Sequence, residues 1–300
     1  VSITVSTPDP DPNGPKFARP HMLADLVGEL VADAEAQAEA VAAGRARGPV
    51  SRIEPLDTTL GGYFRPGLHG FTGDPGSGKT ALALQVAANC GTPAVYVTAE
   101  QAPVELLRKV IARVTQTRLE DVRAATPAKV RELAAIAARS APALMLLDAT
   151  IGPAPANLVE GFAGELRQRC KTRDVLLIID ALQPWARGLG DGQEYDLLQA
   201  GLTDLVRLTS KLRAPVLVLS HRNRASTGSH ASALTAAKGS ADFEHMVESA
   251  LHLAVEKDEK AAKFHPGTRR VNVVVGKNRH GPTDVTIPLH FDGDRQTFRT

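Results

Sequence analysis

One run of eight residues constrains this chain more than any other: "GDPGSGKT", residues 73–80. It fits the pattern G-x-x-x-x-G-K-[ST] in full, with Gly73, Gly78, Lys79 and Thr80 at the fixed places. An apolar stretch, "LHGFT", leads into it and a helical pattern, "ALALQVAANC", leaves it. Glycines let backbone N–H groups turn inward around an anion, and the following helix presents its positive N-terminus. A glycine turn that merely joins strand to helix is the plainer alternative, and this context disfavours it. The run therefore reads as a phosphate loop for ATP or GTP, built from Gly73, Asp74, Pro75, Gly76, Ser77, Gly78, Lys79, Thr80 and Ala81. Lys79 would hold the β- and γ-phosphates, and the Thr80 hydroxyl would bind Mg²⁺.

The rest of the chain agrees with the fold that such a loop requires. Continuous apolar runs at 68–72, 94–99, 143–148, 174–180 and 215–220 alternate with helical patterns at 79–90, 102–114, 127–139, 156–171 and 193–213. Strands that read apolar throughout are buried on both faces, so the expectation is an α/β fold with a mostly parallel central sheet flanked by helices. Two later strands, 270–276 and 284–290, joined by "GKNRHGPT", read as a C-terminal β-hairpin. Residues 1–20, rich in Pro, Asp and Ser, are expected to be disordered. Residues 21–49 form a helical linker or docking segment, and 50–300 the nucleotide-binding domain. On that linker Leu23, Leu26, Val27, Leu30 and Val31 share one helical face, which needs either the chain's own core or a neighbouring subunit to dock on.

A phosphate loop needs a second carboxylate at a nearby strand end to hold the magnesium shell. "VLLIID" offers Asp180. Asp148, closing "LMLLD", is the rival, set aside because the strand before Asp180 reads as longer and its exit, "ALQPW", is more distinctive. Hydrolysis also needs a group to orient water. Glu100, in "VYVTAEQAP", follows the strand after the loop's helix, at the sheet edge that faces the ligand crevice. The alternative for Glu100 is a favourable but inert charge at a helix N-terminus.

Composition excludes several classes. No apolar run reaches the ~18 residues that a membrane span requires, and the N-terminus lacks a basic-then-apolar signal pattern. The two cysteines, Cys90 and Cys170, have no partner at metal-ligand spacing and read as reduced core residues of a cytoplasmic protein. From Val206 onward, 15 Lys and Arg stand against 9 Asp and Glu, a basic bias compatible with a polyanionic partner.

Taken in order, the leader "LDTTLGGYFRPG", the phosphate loop, the strand with Glu100, "LLIIDALQPW", "PVLVLSHRNR" and "GKNRHGP" resemble the RecA-like motor domain of DnaB-type replicative helicases. Phage primase–helicases and RadA-type proteins are near relatives of that family. The resemblance spans about residues 50–300 and implies a RecA-like P-loop NTPase, driven by ATP with Mg²⁺, that assembles into a ring, usually hexameric, on single-stranded DNA. It implies a loader or initiator protein as a further partner, and no membrane. It places His221 where the family carries a γ-phosphate sensor, usually Gln. It makes Lys277 and Arg279 arginine-finger groups that reach the neighbouring subunit's ATP; without the resemblance, a cationic pair on a hairpin tip reads equally as solvated. Two loops would face the channel, 187–196 and 222–241. The second carries Arg222, Arg224 and Lys238 without an acid before Asp242, which suits contact with a phosphate backbone, though composition alone fits a plain flexible loop. The chain departs from the family pattern in "GSADFEHMVESALHL", with Glu and Met where the family has an Asp-rich turn, and the family's globular N-terminal domain is not in this sequence. A plasmid, phage or accessory helicase is therefore the expectation. The alternative is a RadA- or KaiC-like ATPase whose output is assembly or partner binding.

Overall fold

The computed structural model describes residues 21–73, 76–220, 243, 245–256 and 267–300. The chain divides into two units, Val1–Arg47 and Gly48–Thr300. In the first, α1 (Leu23–Ala42) begins where Asp25 accepts a bond from the Met22 N–H. Its apolar residues Leu23, Val27, Leu30 and Val31 are exposed. Among the described residues no helix is long and apolar enough to cross a membrane.

The second unit is built on one nine-stranded sheet in the order β3-β2-β4-β5-β1-β6-β7-β8-β9. The strands are β1 (Gly67–Gly73), β2 (Ala94–Thr98), β3 (Leu144–Asp148), β4 (Leu176–Asp180), β5 (Pro215–Leu219), β6 (Val247–Val255), β7 (Thr268–Asn278), β8 (Val285–Asp292) and β9 (Thr297–Arg299). The pairings from β3 through β6 are parallel, and those from β6 to β9 antiparallel. Successive side chains on a strand point to opposite faces, which is why β4 feeds two cores. Leu176 and Ile178 join α3 (Lys79–Asn89), α4 (Pro103–Thr115) and α6 (Pro127–Ser140) on one face. Leu177 and Ile179 join α7 (Ala156–Cys170), α8 (Leu182–Arg187) and α9 (Glu194–Leu212) on the other. The parallel sheet, its flanking helices and the terminal hairpin are those expected.

Several elements go beyond the sequence expectation: β6, β9, and the short helices α2 (Glu54–Thr59), α5 (Leu119–Ala124) and α8. The loop expected at 187–196 is also shorter, since α8 ends at Arg187 and α9 begins at Glu194. Both cysteines are free, but only Cys90 is buried; Cys170 is exposed. Cys170 continues the buried stripe Val159–Ala163–Leu166 at helical spacing, yet it is the last residue of α7. There it lines an open cavity of about 370 Å³ with Pro93, Ala143 and Thr172, where β2 and β3 begin and far from the phosphate loop. The expected disordered lead, residues 1–20, lies outside the described residues.

Candidate functional site

The site forms where the parallel strands end. β1 delivers the phosphate loop, and α3 starts on its last residues, with Gly78 as N-cap. Gly78 has φ +95°, and a Cβ there would stand 2.7 Å from Phe298 Cζ. Only glycine meets both demands. The Lys79 ammonium is buried and donates to the Gly73 carbonyl at 2.7 Å. Ser77 Oγ is buried with no hydrogen-bond partner among the described residues. An orphaned hydroxyl is rare in a protein interior; here it lies in a loop of backbone amides, as a site made for an anion would have it. Asp74 and Pro75 lie outside the described residues.

Asp180 closes β4 and meets the loop directly. Thr80 Oγ1 donates to Asp180 Oδ2 at 2.9 Å, and the Tyr96 hydroxyl donates to the same oxygen at 2.6 Å. Both bonds fall on Oδ2, so Oδ1 keeps its acceptor capacity. Burial pushes the Asp180 carboxyl above its ordinary range, against the pull of the Tyr96 and Thr80 bonds. Burial, and then Asp180 itself, raise the Tyr96 phenol well above normal, so Tyr96 stays a donor. Two more charges act on this carboxylate: Glu100, two residues beyond β2 and exposed, and Lys109 on α4, whose ammonium is pushed down by burial. The paired Thr80 hydroxyl and Asp180 carboxylate are oxygen ligands that fit Mg²⁺, and the Lys79 ammonium suits the phosphates that would carry it. Neither Tyr96 nor Lys109 belongs to a motif, although a Tyr in the otherwise apolar "AVYVT" is a signal in the sequence.

Asp148 stands elsewhere. It closes β3, the edge strand, and accepts from the backbone N–H (2.9 Å) and the hydroxyl (2.6 Å) of Thr150, a local turn. The ground for preferring Asp180 differs from the expected one, however. β3 and β4 are both five residues long, and it is the contact of Asp180 with Thr80, from a strand inside the sheet rather than at its edge, that separates the two acids.

Beside the loop, the C-terminal strands add two planar groups. The Arg269 guanidinium lies 5.0 Å over the Phe291 ring and donates to the Gly76 carbonyl; Phe291 stacks on Phe298 at 4.4 Å. Gln85 of α3 fixes β9, accepting from Phe298 N at 2.8 Å and donating to its carbonyl at 3.0 Å. At the end of β5, Ser220 accepts from Gln183 Nε2 at 2.7 Å, so the residue before His221 is held between β4 and β1. His221, Arg222, Arg224 and Lys238 lie outside the described residues.

Lys277 and Arg279 are not part of this cluster. Arg269, near the start of β7, touches the phosphate loop, and Arg279 follows the last residue of the same strand. At ~3.3 Å per residue the two are about 33 Å apart, far beyond the reach of one side chain. The tip is braced instead on the leader: Asn278 Nδ2 donates to the Thr59 carbonyl at 2.7 Å.

A strand-borne phosphate loop paired with a strand-end carboxylate on a mostly parallel sheet defines the class of P-loop nucleotide-binding domains. The chain belongs to the DnaB-like helicase C-terminal domain family, whose model matches residues 48–300. Its fold is similar to that of a solved ATPase domain, with a TM-score of 0.74 and 20% identity over 91% of this chain and 97% of that one. It is likewise similar to a DnaB-like replicative helicase solved for its interactions with primase, with a TM-score of 0.72 and 19% identity over 93% and 67%. None of the curated proteins matches the sequence.

Proposed function

We propose that this chain is the motor of an ATP-hydrolysing ring that moves on single-stranded DNA in the cytoplasm, of plasmid, phage or accessory replication type. The observation that carries the reading is Thr80 Oγ1 on Asp180 Oδ2 at 2.9 Å, with Glu100 acting on the same carboxylate, in a DnaB-like domain. Lys79 and the loop amides bind the substrate's phosphates. Thr80 and Asp180 would hold Mg²⁺, which neutralises charge on those phosphates when bound. Tyr96 keeps Asp180 oriented and ionised. Glu100 orients a water and accepts its proton. Arg269, exposed and lying over the buried Phe291 ring, offers a planar face to the base.

Arg279 cannot serve its own loop across about 33 Å of strand, which supports action on a neighbour's γ-phosphate in a ring. Such a cation stabilises charge developing on the transferred group, worth roughly 10³–10⁵ in rate. Arg222, Arg224 and Lys238 are proposed as the contacts to the DNA backbone.

The test pairs two assays on one preparation: ATPase with and without single-stranded DNA, and strand displacement on a forked duplex. DNA-stimulated turnover with displacement is expected. ATPase without displacement, accompanied by filament formation or partner binding, would select an assembly-type ATPase instead.

A further inference from the structure

The segment where the chain departs from the family pattern places Glu248 against the hairpin tip. Glu248 is the second residue of β6, and its carbonyl accepts from Arg279 N at 2.9 Å. Its carboxylate meets two side chains of the tip, Arg279 and His280. Oε1 accepts from Arg279 Nη1 at 3.0 Å, and Oε2 lies 3.1 Å from His280 Nε2. The His245 carbonyl, just before β6, accepts from Arg279 Nη2 at 3.1 Å and Lys277 Nζ at 3.2 Å.

The carboxylate is itself held in place. A Cβ on Gly67 would lie 2.4 Å from Glu248 Cγ, so Gly67, at φ +139°, leaves the space that this side chain fills. The Glu248 side chain is 18% exposed, whereas that of Arg279 is 51% exposed. Of the five N–H donors on a guanidinium, these contacts occupy two. Arg279 is thus aimed without being used up.

We propose that Glu248 is a positioning residue, fixing the Arg279 guanidinium in the orientation in which it meets the neighbouring subunit's nucleotide. The proposal rests on the reading of Arg279 as a group acting across a subunit boundary. A free arginine spreads over many rotamers, and misplacing a group by about 1 Å at a reacting centre can cost on the order of 10²-fold in rate. The opposite arrangement, a latch that withholds Arg279, would make hydrolysis faster when the carboxylate is removed.

The experiment measures DNA-stimulated kcat, the Kd of a fluorescent ATP analogue and the melting temperature for E248A, E248Q, R279A and E248A/R279A in the full chain. E248A is expected to lose about 10-fold or more in kcat, with Kd and melting near wild type. E248Q should recover to within about threefold, because its amide oxygen still accepts from Arg279. The double variant should match R279A, since Glu248 acts only through that side chain. If E248A does not fold, E248T, whose branched side chain suits a strand, replaces it. Wild-type kcat in E248A beside an inactive R279A overturns the positioning role and leaves the finger standing. Faster turnover in E248A, or a further loss in the double variant, also overturns it. Normal turnover in R279A removes the finger and this inference together.

Discussion

His69 should make the fold measurably weaker in mild acid. It sits in β1, 2% exposed, and the carbonyl of Arg65 fixes its tautomer: Nε2 must donate there, at 2.8 Å, so Nδ1 accepts from Ser249 Oγ at 2.8 Å. The neutral ring is satisfied, and burial pushes its pKa down from 6.5 to about 4. The unfolded chain therefore takes up a proton below pH 6.5 that the folded chain refuses until about pH 4. Stability is complete above that window and falls as pH drops through it. About 2.5 units at ~1.4 kcal/mol each amounts to about 3 kcal/mol in all, of which about 2 kcal/mol is lost by pH 5. Asp57 and Asp180, whose pKa values burial raises, act in the opposite direction, so a control is needed. Urea unfolding at pH 7.5 and pH 5, for wild type and His69→Gln, supplies it. Wild type should lose about 2 kcal/mol more than the variant over this interval. Equal losses would refute the picture of a ring buried neutral between β1 and β6.

Three other outcomes are expected. Lys79→Ala should abolish ATP binding, while Glu100→Gln should bind ATP normally and hydrolyse it at least about 10²-fold more slowly; measured Kd and kcat separate them. Tyr96→Phe removes a bond that holds the Asp180 pKa down, so the acid limb of the kcat–pH profile should move to higher pH, with a stability loss of about 1–2 kcal/mol. Neutralising Arg222, Arg224 and Lys238 together should flatten the salt dependence of single-strand binding by about 2 in log–log slope, and an unchanged slope would mean that the strand runs elsewhere.

The parallel strands were legible because burial on both faces leaves an unbroken apolar run. β6 was not, because "VESALHLAV" mixes in Glu248, Ser249 and His252. Those polar groups are tolerated because they find partners next door: Ser249 with His69, and His252 Nδ1 with Thr72 Oγ1 at 3.0 Å. β9, three residues long, depends on the side chain of Gln85 more than on any pattern of its own. In the site, Lys79, Thr80, Asp180 and Glu100 follow from short contiguous motifs attached to strand ends. Tyr96, Lys109 and Arg269, and Glu248 at the hairpin tip, carry no spacing signal, because only tertiary approach brings them to their partners. The glycines of the leader and the basic tip of the hairpin read as separate motifs in the sequence. Their connection shows in the structure, where Asn278 bonds the Thr59 carbonyl and where Gly67 makes room for Glu248, which accepts from Arg279.

The central claim is a motor whose sites are completed between subunits. It is tested most directly by mixing Arg279→Ala protein with Glu100→Gln protein. Alone, each should be nearly inactive, the first because its neighbours' sites lack the cation, the second because its own sites cannot activate water. In mixed rings, Glu100→Gln subunits supply intact Arg279 side chains to sites that retain Glu100. ATPase well above the sum of the two preparations is therefore predicted. Activity that stays at that sum, in mixtures shown to co-assemble, would contradict the account.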